Sequence, residues 1–114
     1  MKIVINKCYG GFGLSDKAVE LYFRLKGWTY TKSDEKLFGT STYRVNGDYF
    51  SSSDIPREDP DLVHVVETLA EKANDSFSQL EIVDLPAGTL YRINEYDGYE
   101  SIETSTDIDW KVAT

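Results

Sequence analysis

The residues best suited to chemistry lie near the start of the chain, in Lys2-Ile-Val-Ile-Asn-Lys-Cys-Tyr-Gly-Gly-Phe-Gly-Leu-Ser15. Gly10, Gly11 and Gly13 permit positive φ or a close backbone approach. Ser15 suits a helix N-cap, and Asp16 after it suits the positive end of the helix dipole. Lys7 and Lys17 flank the glycines with positive charge. A strand, a glycine turn and a helix N-terminus in this order can direct several backbone N–H groups at one anion, such as a phosphate. The same residues also suit a plain tight turn whose glycines avoid clashes. The spacing fits no named motif. A dinucleotide fingerprint needs a small residue where Asp16 stands, and a P-loop needs Gly-Lys-Ser/Thr.

Charge gives the segment a context. Residues 1–26 carry five basic groups (Lys2, Lys7, Lys17, Arg24, Lys26) against two acidic ones, while the remainder carries seven against eighteen. The glycines thus lie in the one net-positive stretch of a chain whose formal charge is −8. That balance argues against general nucleic-acid binding. Tyr9, Phe12, Trp28 and Tyr30 can stack on a base, and Arg57 and Arg92 can clamp phosphate. The ligand-binding set is therefore Lys7, Tyr9, Gly10, Gly11, Phe12, Gly13, Ser15, Lys17, Arg57 and Arg92.

Other chemistries find little support. Cys8 is the sole cysteine and His64 the sole histidine, so no internal disulfide forms. A nucleophile would have one histidine to serve as base. Cys8 reads as a half-buried filler fitting a reducing cytoplasm, and His64 as a solvated side chain near Asp61, Glu67 and Thr68. No metal set and no cofactor motif is present, and Asp97 with Glu100 makes no convincing catalytic pair. An enzyme is the least supported class.

The elements that must position these residues follow from patterning. Ile3-Val-Ile5 has the composition of a buried strand. Helix one is expected over about Asp16–Lys26, with Ala18, Val19, Tyr22 and Leu25 as its buried stripe and Gly27 ending it. Trp28–Thr31 reads as a strand and Ser33–Lys36 as a loop. Asn46-Gly47 between β-prone runs predicts a type I′ hairpin, and Ser51–Asp54 a loop. Asp59, Pro60 and Asp61 start helix two. Its stripe is Leu62, Val65, Val66, Leu69, Ala70 and Ala73, and Asn74 would end it in a left-handed conformation. Leu80–Leu85 is expected to pair through Pro86–Gly88 with Thr89–Asn94, and Asp97-Gly98 marks another turn. Leu90, Arg92 and Asn94 should share one strand face, opposite Tyr91 and Ile93. From Glu95 to Asp109 there are six acids and no base. With 114 residues, 40% hydrophobic and 28% charged, the chain can form one α+β domain over 1–114. A mixed sheet of four to six strands is expected, with two helices on one face. No apolar run reaches the roughly 20 residues of a membrane span, and Met1–Lys7 turns polar too soon for a signal peptide.

Four segments together carry a resemblance: Asn6–Ser15, Ile55-Pro-Arg-Glu-Asp-Pro-Asp-Leu-Val63, Glu71-Lys-Ala-Asn74 and Glu95-Tyr-Asp-Gly-Tyr-Glu100. They resemble a family of short proteins encoded by bacteriophages and prophages. The likeness covers most of the chain outside residues 28–53 and the last dozen. Family members tend to end in a His-Arg pair before a tryptophan. Here Thr106-Asp-Ile-Asp-Trp110 keeps the tryptophan without the pair. The resemblance implies a protein of the infected bacterial cytoplasm and no particular reaction. By class analogy, such proteins act against host defence, some by capturing nucleotide signals. Two expectations follow: capture of an anionic, nucleotide-like molecule at the glycine unit, or an acidic decoy that docks on a basic host protein. Self-association into a homo-oligomer stays open.

Overall fold

The computed structural model describes residues 1–37, 40–105 and 112–113. The tail Thr106–Trp110 and the acidic positions 107 and 109 lie outside the described residues. The fold is α+β, with two α-helices and seven strands among the described residues. The strands are divided among three small, wholly antiparallel sheets rather than gathered in one mixed sheet. One sheet joins β1 (Lys2–Asn6) to β5 (Leu80–Asp84), the second holds β2 (Thr31–Leu37), β3 (Thr40–Val45) and β4 (Asp48–Tyr49), and the third is the hairpin of β6 (Tyr91–Tyr96) and β7 (Tyr99–Thr104).

β1 is the central strand. Ile3, Val4 and Ile5 are all buried, and because strand side chains alternate, both faces of β1 are covered. Its pairing with β5 overturns the expected hairpin of residues 80–85 with 89–94. The main-chain bonds from Leu85 N–H to the Met1 carbonyl and from Lys7 N–H to the Gln79 carbonyl extend that pairing past both strand ends. β6 pairs instead with β7 across Asp97 and Gly98, whose positive φ values of 51° and 87° make the type I′ turn that a two-residue hairpin needs. Asn46 and Gly47 form the matching turn between β3 and β4, as expected.

Helix α1 (Asp16–Lys26) is capped by Ser15, whose Oγ accepts from Ala18 N–H. It ends at left-handed Gly27, with Trp28 N–H bonded back to the Phe23 carbonyl. That closing bond uses the Trp28 amide, so no strand starts there and β2 begins at Thr31. The polar 33–36 stretch, expected as a loop, belongs to β2. A charged sequence suits a strand at a sheet edge, and a register shift between Ser33 and Lys36 interrupts its pairing. Phe23 takes the buried position expected for Leu25, which stays exposed.

Helix α2 (Pro60–Leu69) starts as expected, with Asp59 accepting from Asp61 N–H. It stops four residues earlier than its apolar stripe, which runs to Ala73, suggests. Ala70 has φ 50° and ψ −125°, Ala70–Ala73 forms a 3-10 turn, and Asn74 is extended rather than left-handed. Asn74 instead uses its side chain, accepting from Leu80 N–H at the head of β5. α2 packs on β1 and β5, and α1 packs on α2. Between them lies a core of Val4, Tyr22, Phe23, Leu62, Val65 and their neighbours. No helix among the described residues is long and apolar enough to cross a membrane.

Candidate functional site

The glycine unit forms as strand, turn and helix, with the Gly13 carbonyl accepting from the Ser78 hydroxyl and the whole turn packed against other parts of the chain. Gly11 has φ 98°, a conformation that strains any residue with a Cβ. A side chain at Gly10 would collide with the carbonyl and Cβ of Phe77, and one at Gly13 with the Asp75 carboxylate. The turn at Gly98 seats equally closely on Gly11 and on the Tyr9 carbonyl. Three segments thus converge: the glycine turn, residues 75–78 and the tip of β6–β7. Small residues are needed wherever backbones approach so closely.

Two fully or nearly buried polar residues hold this junction. Asn6 donates from Nδ2 to the carbonyls of Cys8 and Gly98, both at 2.8 Å, and accepts from Gln79 N–H at 2.9 Å. Glu100, 6% exposed, accepts from Asn6 N–H at 3.0 Å and from Arg57 Nε and Nη2 at 3.3 and 3.0 Å. The Arg57 guanidinium also donates to the carbonyls of Ser53 and Ile55 and lies 3.6 Å above the Phe12 ring centroid. An anion does meet this unit, and it is the protein's own carboxylate. Asn6 and Glu100 were absent from the set drawn from sequence, because only the fold brings Glu100 to β1. Arg57 came from sequence as a phosphate clamp and is engaged by Glu100.

The remaining sequence-derived residues separate. Ser15 caps α1 and donates its hydroxyl to the Lys72 carbonyl. Lys7 lies 5.5 Å from the Tyr99 ring centroid, and Tyr9, 63% exposed, stacks on the same ring at 5.1 Å. Arg92 pairs with Glu103 on the exposed face of β6–β7, where no hydrogen bond joins it to the glycine turn. Trp28 and Tyr30 pack their rings around Phe23 at 6.2 and 4.9 Å.

Lys17 lies elsewhere, in a separate site. With Glu20, Leu21 and Arg24 on α1 and Thr68 and Leu69 at the end of α2, it lines a surface groove of about 520 Å³. Positions 17, 20, 21 and 24 share one helix face by their spacing. Leu21 and Leu69 give the groove an apolar floor, both half-buried against the core. Glu20 is drawn to one side by the Tyr43 hydroxyl at 2.7 Å, Lys32 at 3.0 Å and the Tyr30 hydroxyl at 3.2 Å. Hydrogen bonding from Tyr43, then Lys32, holds its carboxyl below the usual range despite partial burial. Lys17 and Arg24, both exposed, enter no ion pair among the described residues. They lie about two turns apart along α1, with Leu21 between them. The groove suits a ligand with an apolar body and negative charge at its ends. Arg24 was counted in the basic segment but not put forward as a site residue; its spacing from Lys17 was the available signal.

Half-buried Cys8 lines a second hollow with residues of the 70–80 stretch. No group of three metal-ligating side chains assembles among the described residues. No family model, curated protein or solved structure matches this chain.

Proposed function

We propose that this protein is a small accessory protein of phage type that binds an anionic small molecule in the α1 groove, acting in the host cytoplasm. The observation that carries the reading is the pair Lys17 and Arg24. They are two exposed cations that form no ion pair among the described residues, about two turns apart on α1 along a groove with Leu21 and Leu69 in its lining. Exposed cations beside a concave surface attract an anion, and Arg24 can take phosphate bidentately. The Leu21 and Leu69 side chains supply contact for the body of the molecule. A nucleotide signal of host defence has both parts, charge at the phosphates and a flat base for the apolar floor. In this reading the glycine turn positions α1 and does not touch ligand, since it is packed closely against Phe77, Asp75 and the turn at Gly98. Calorimetric titration against mono-, di- and cyclic nucleotides tests the proposal. Wild type binds one class, and Lys17→Ala and Arg24→Ala each weaken it about tenfold, while thermal midpoints stay within about 2 °C because surface charges contribute little to folding. Absence of binding across the panel would overturn it.

A second reading has one specific observation behind it. The β6–β7 tip exposes Glu95 and Asp97 beside Tyr96, which is 79% exposed. An acidic surface with a protruding aromatic suits a basic host protein, as a decoy would. Neutralising Glu95 and Asp97 would then slow association and flatten its salt dependence.

A further inference from the structure

A pocket of different chemistry opens near the C-terminal end of α1. Between the end of α1 and the β4 strand lies a hollow of about 250 Å³ lined by Tyr22, Trp28, Tyr49, Phe50 and Asp54, among others. Four of these residues are aromatic. The Trp28 ring stands edge-on to Tyr22 at 5.8 Å and 83°, and Phe50 lies 6.3 Å from Tyr22 at 31°. The Tyr22, Trp28 and Phe50 rings are thus inclined to one another around the same volume. Tyr22 is buried and forms the floor, whereas Trp28 and Tyr49 are 43% and 60% exposed at the rim.

Among the described residues, the one charged side chain in the lining is acidic. No lysine or arginine lines it, and exposed Asp54 does. Arg57 donates to the carbonyl of pocket-lining Ile55 but is paired with Glu100, and Lys26 lies 5.5 Å from the Tyr22 ring centroid. Its ammonium is held between Asp59 at 3.1 Å and Asp61 at 2.9 Å, so that cluster is itself net negative. Ring faces and carboxylates both favour a positive guest, and a soft, weakly hydrated cation gains most because it gives up little solvation on entry.

We infer that this pocket is a cage for a quaternary or alkylated ammonium group, with Trp28, Tyr49 and Phe50 facing the cation and Asp54 balancing its charge. The site is separate from the α1 groove and takes a ligand of opposite charge. Its backbone support is local. The bond from Trp28 N–H to the Phe23 carbonyl fixes the residue that carries one wall. The bond from Phe50 N–H to the Tyr43 carbonyl fixes the other.

The test is an NMR titration of the full chain with choline and, in parallel, with dimethylbutanol, its uncharged carbon isostere. The Trp28 indole N–H is the reporter, assigned with the help of Trp110→Phe. Choline should shift that signal saturably, and the isostere should bind at least about tenfold more weakly. Tyr49→Leu, at an exposed position that folding does not need, should weaken choline about tenfold and leave the isostere nearly unchanged. Asp54→Asn should weaken choline about threefold. Equal affinity for choline and the isostere would reduce the pocket to an apolar hollow and overturn the inference. No saturable shift at Trp28, or an unaltered affinity in Tyr49→Leu, would do the same.

Discussion

Replacing Glu100 with alanine is the sharpest perturbation of the junction that organises the fold. Its carboxylate takes three hydrogen bonds, two of them from Arg57, whose side chain is 14% exposed. Breaking one partner of a buried ion pair typically costs 3–5 kcal/mol because it strands the other charge. Arg57 keeps its bonds to the Ser53 and Ile55 carbonyls and its place on Phe12, which moves the expectation to the lower end, about 3 kcal/mol. Glu100→Gln keeps an acceptor for Asn6 N–H and should cost about half as much. Arg57→Leu alone leaves the carboxylate with Asn6 N–H only, and combined with Glu100→Ala it should recover about 2 kcal/mol of coupling. Urea titrations followed by circular dichroism give the four midpoints of this cycle. The denaturant slope adds a second readout. If the β6–β7 hairpin detaches from β1 before global unfolding, less surface is exposed in the main transition and the slope falls. A loss below about 1 kcal/mol for Glu100→Ala, with no coupling to Arg57, would refute the view that this ion pair ties the hairpin to the central strand.

Further predictions concern other parts of the frame. Gly10→Ala meets the Phe77 backbone and should lower stability by about 2 kcal/mol or more, whereas Gly11→Ala, in open space but at φ 98°, should cost about 1 kcal/mol; equal midpoints in thermal melts would contradict the packing role of Gly10. Leu62→Ala, at a fully buried position of α2, should cost about 3 kcal/mol in denaturant titration, and Leu69→Ala at the half-buried end distinctly less. Burial opposes ionisation of Asp59, yet the Tyr22 hydroxyl, Asp61 N–H and Lys26 outweigh it and hold its carboxyl below the ordinary range. A depressed folded-state pKa means its stabilisation is present above about pH 4 and is lost as pH falls below that; Asp59→Asn should flatten the acid limb of a melting-temperature profile, and an unchanged limb would remove Asp59 from this role.

Sequence patterning reached those elements whose determinants are local. Asp59 and Pro60 act within one turn of α2, and Asn46-Gly47 and Asp97-Gly98 each set their own hairpin geometry, so these boundaries were readable. Pairing was not, because β1 meets β5 across more than seventy residues and nothing local distinguishes that partner from β6. The charged β2 escaped notice because edge strands tolerate polar sequence on both faces. The glycines were legible as a place of close approach, but what approaches them comes from residues 75–78 and 97–100. Lys17 was legible as a cation in a basic segment. Its groove was not, since Thr68 and Leu69 reach it only through the packing of α2 on α1.

The central claim separates two surfaces on the same segment: the glycine turn that packs and the α1 groove that binds. Amide chemical-shift mapping during titration with the best ligand of the nucleotide panel distinguishes them directly. The account predicts the largest saturable shifts at Lys17, Leu21, Arg24, Thr68 and Leu69, with residues 9–13 nearly still. Shifts concentrated at Tyr9 to Gly13 would contradict it and return the ligand to the glycine turn.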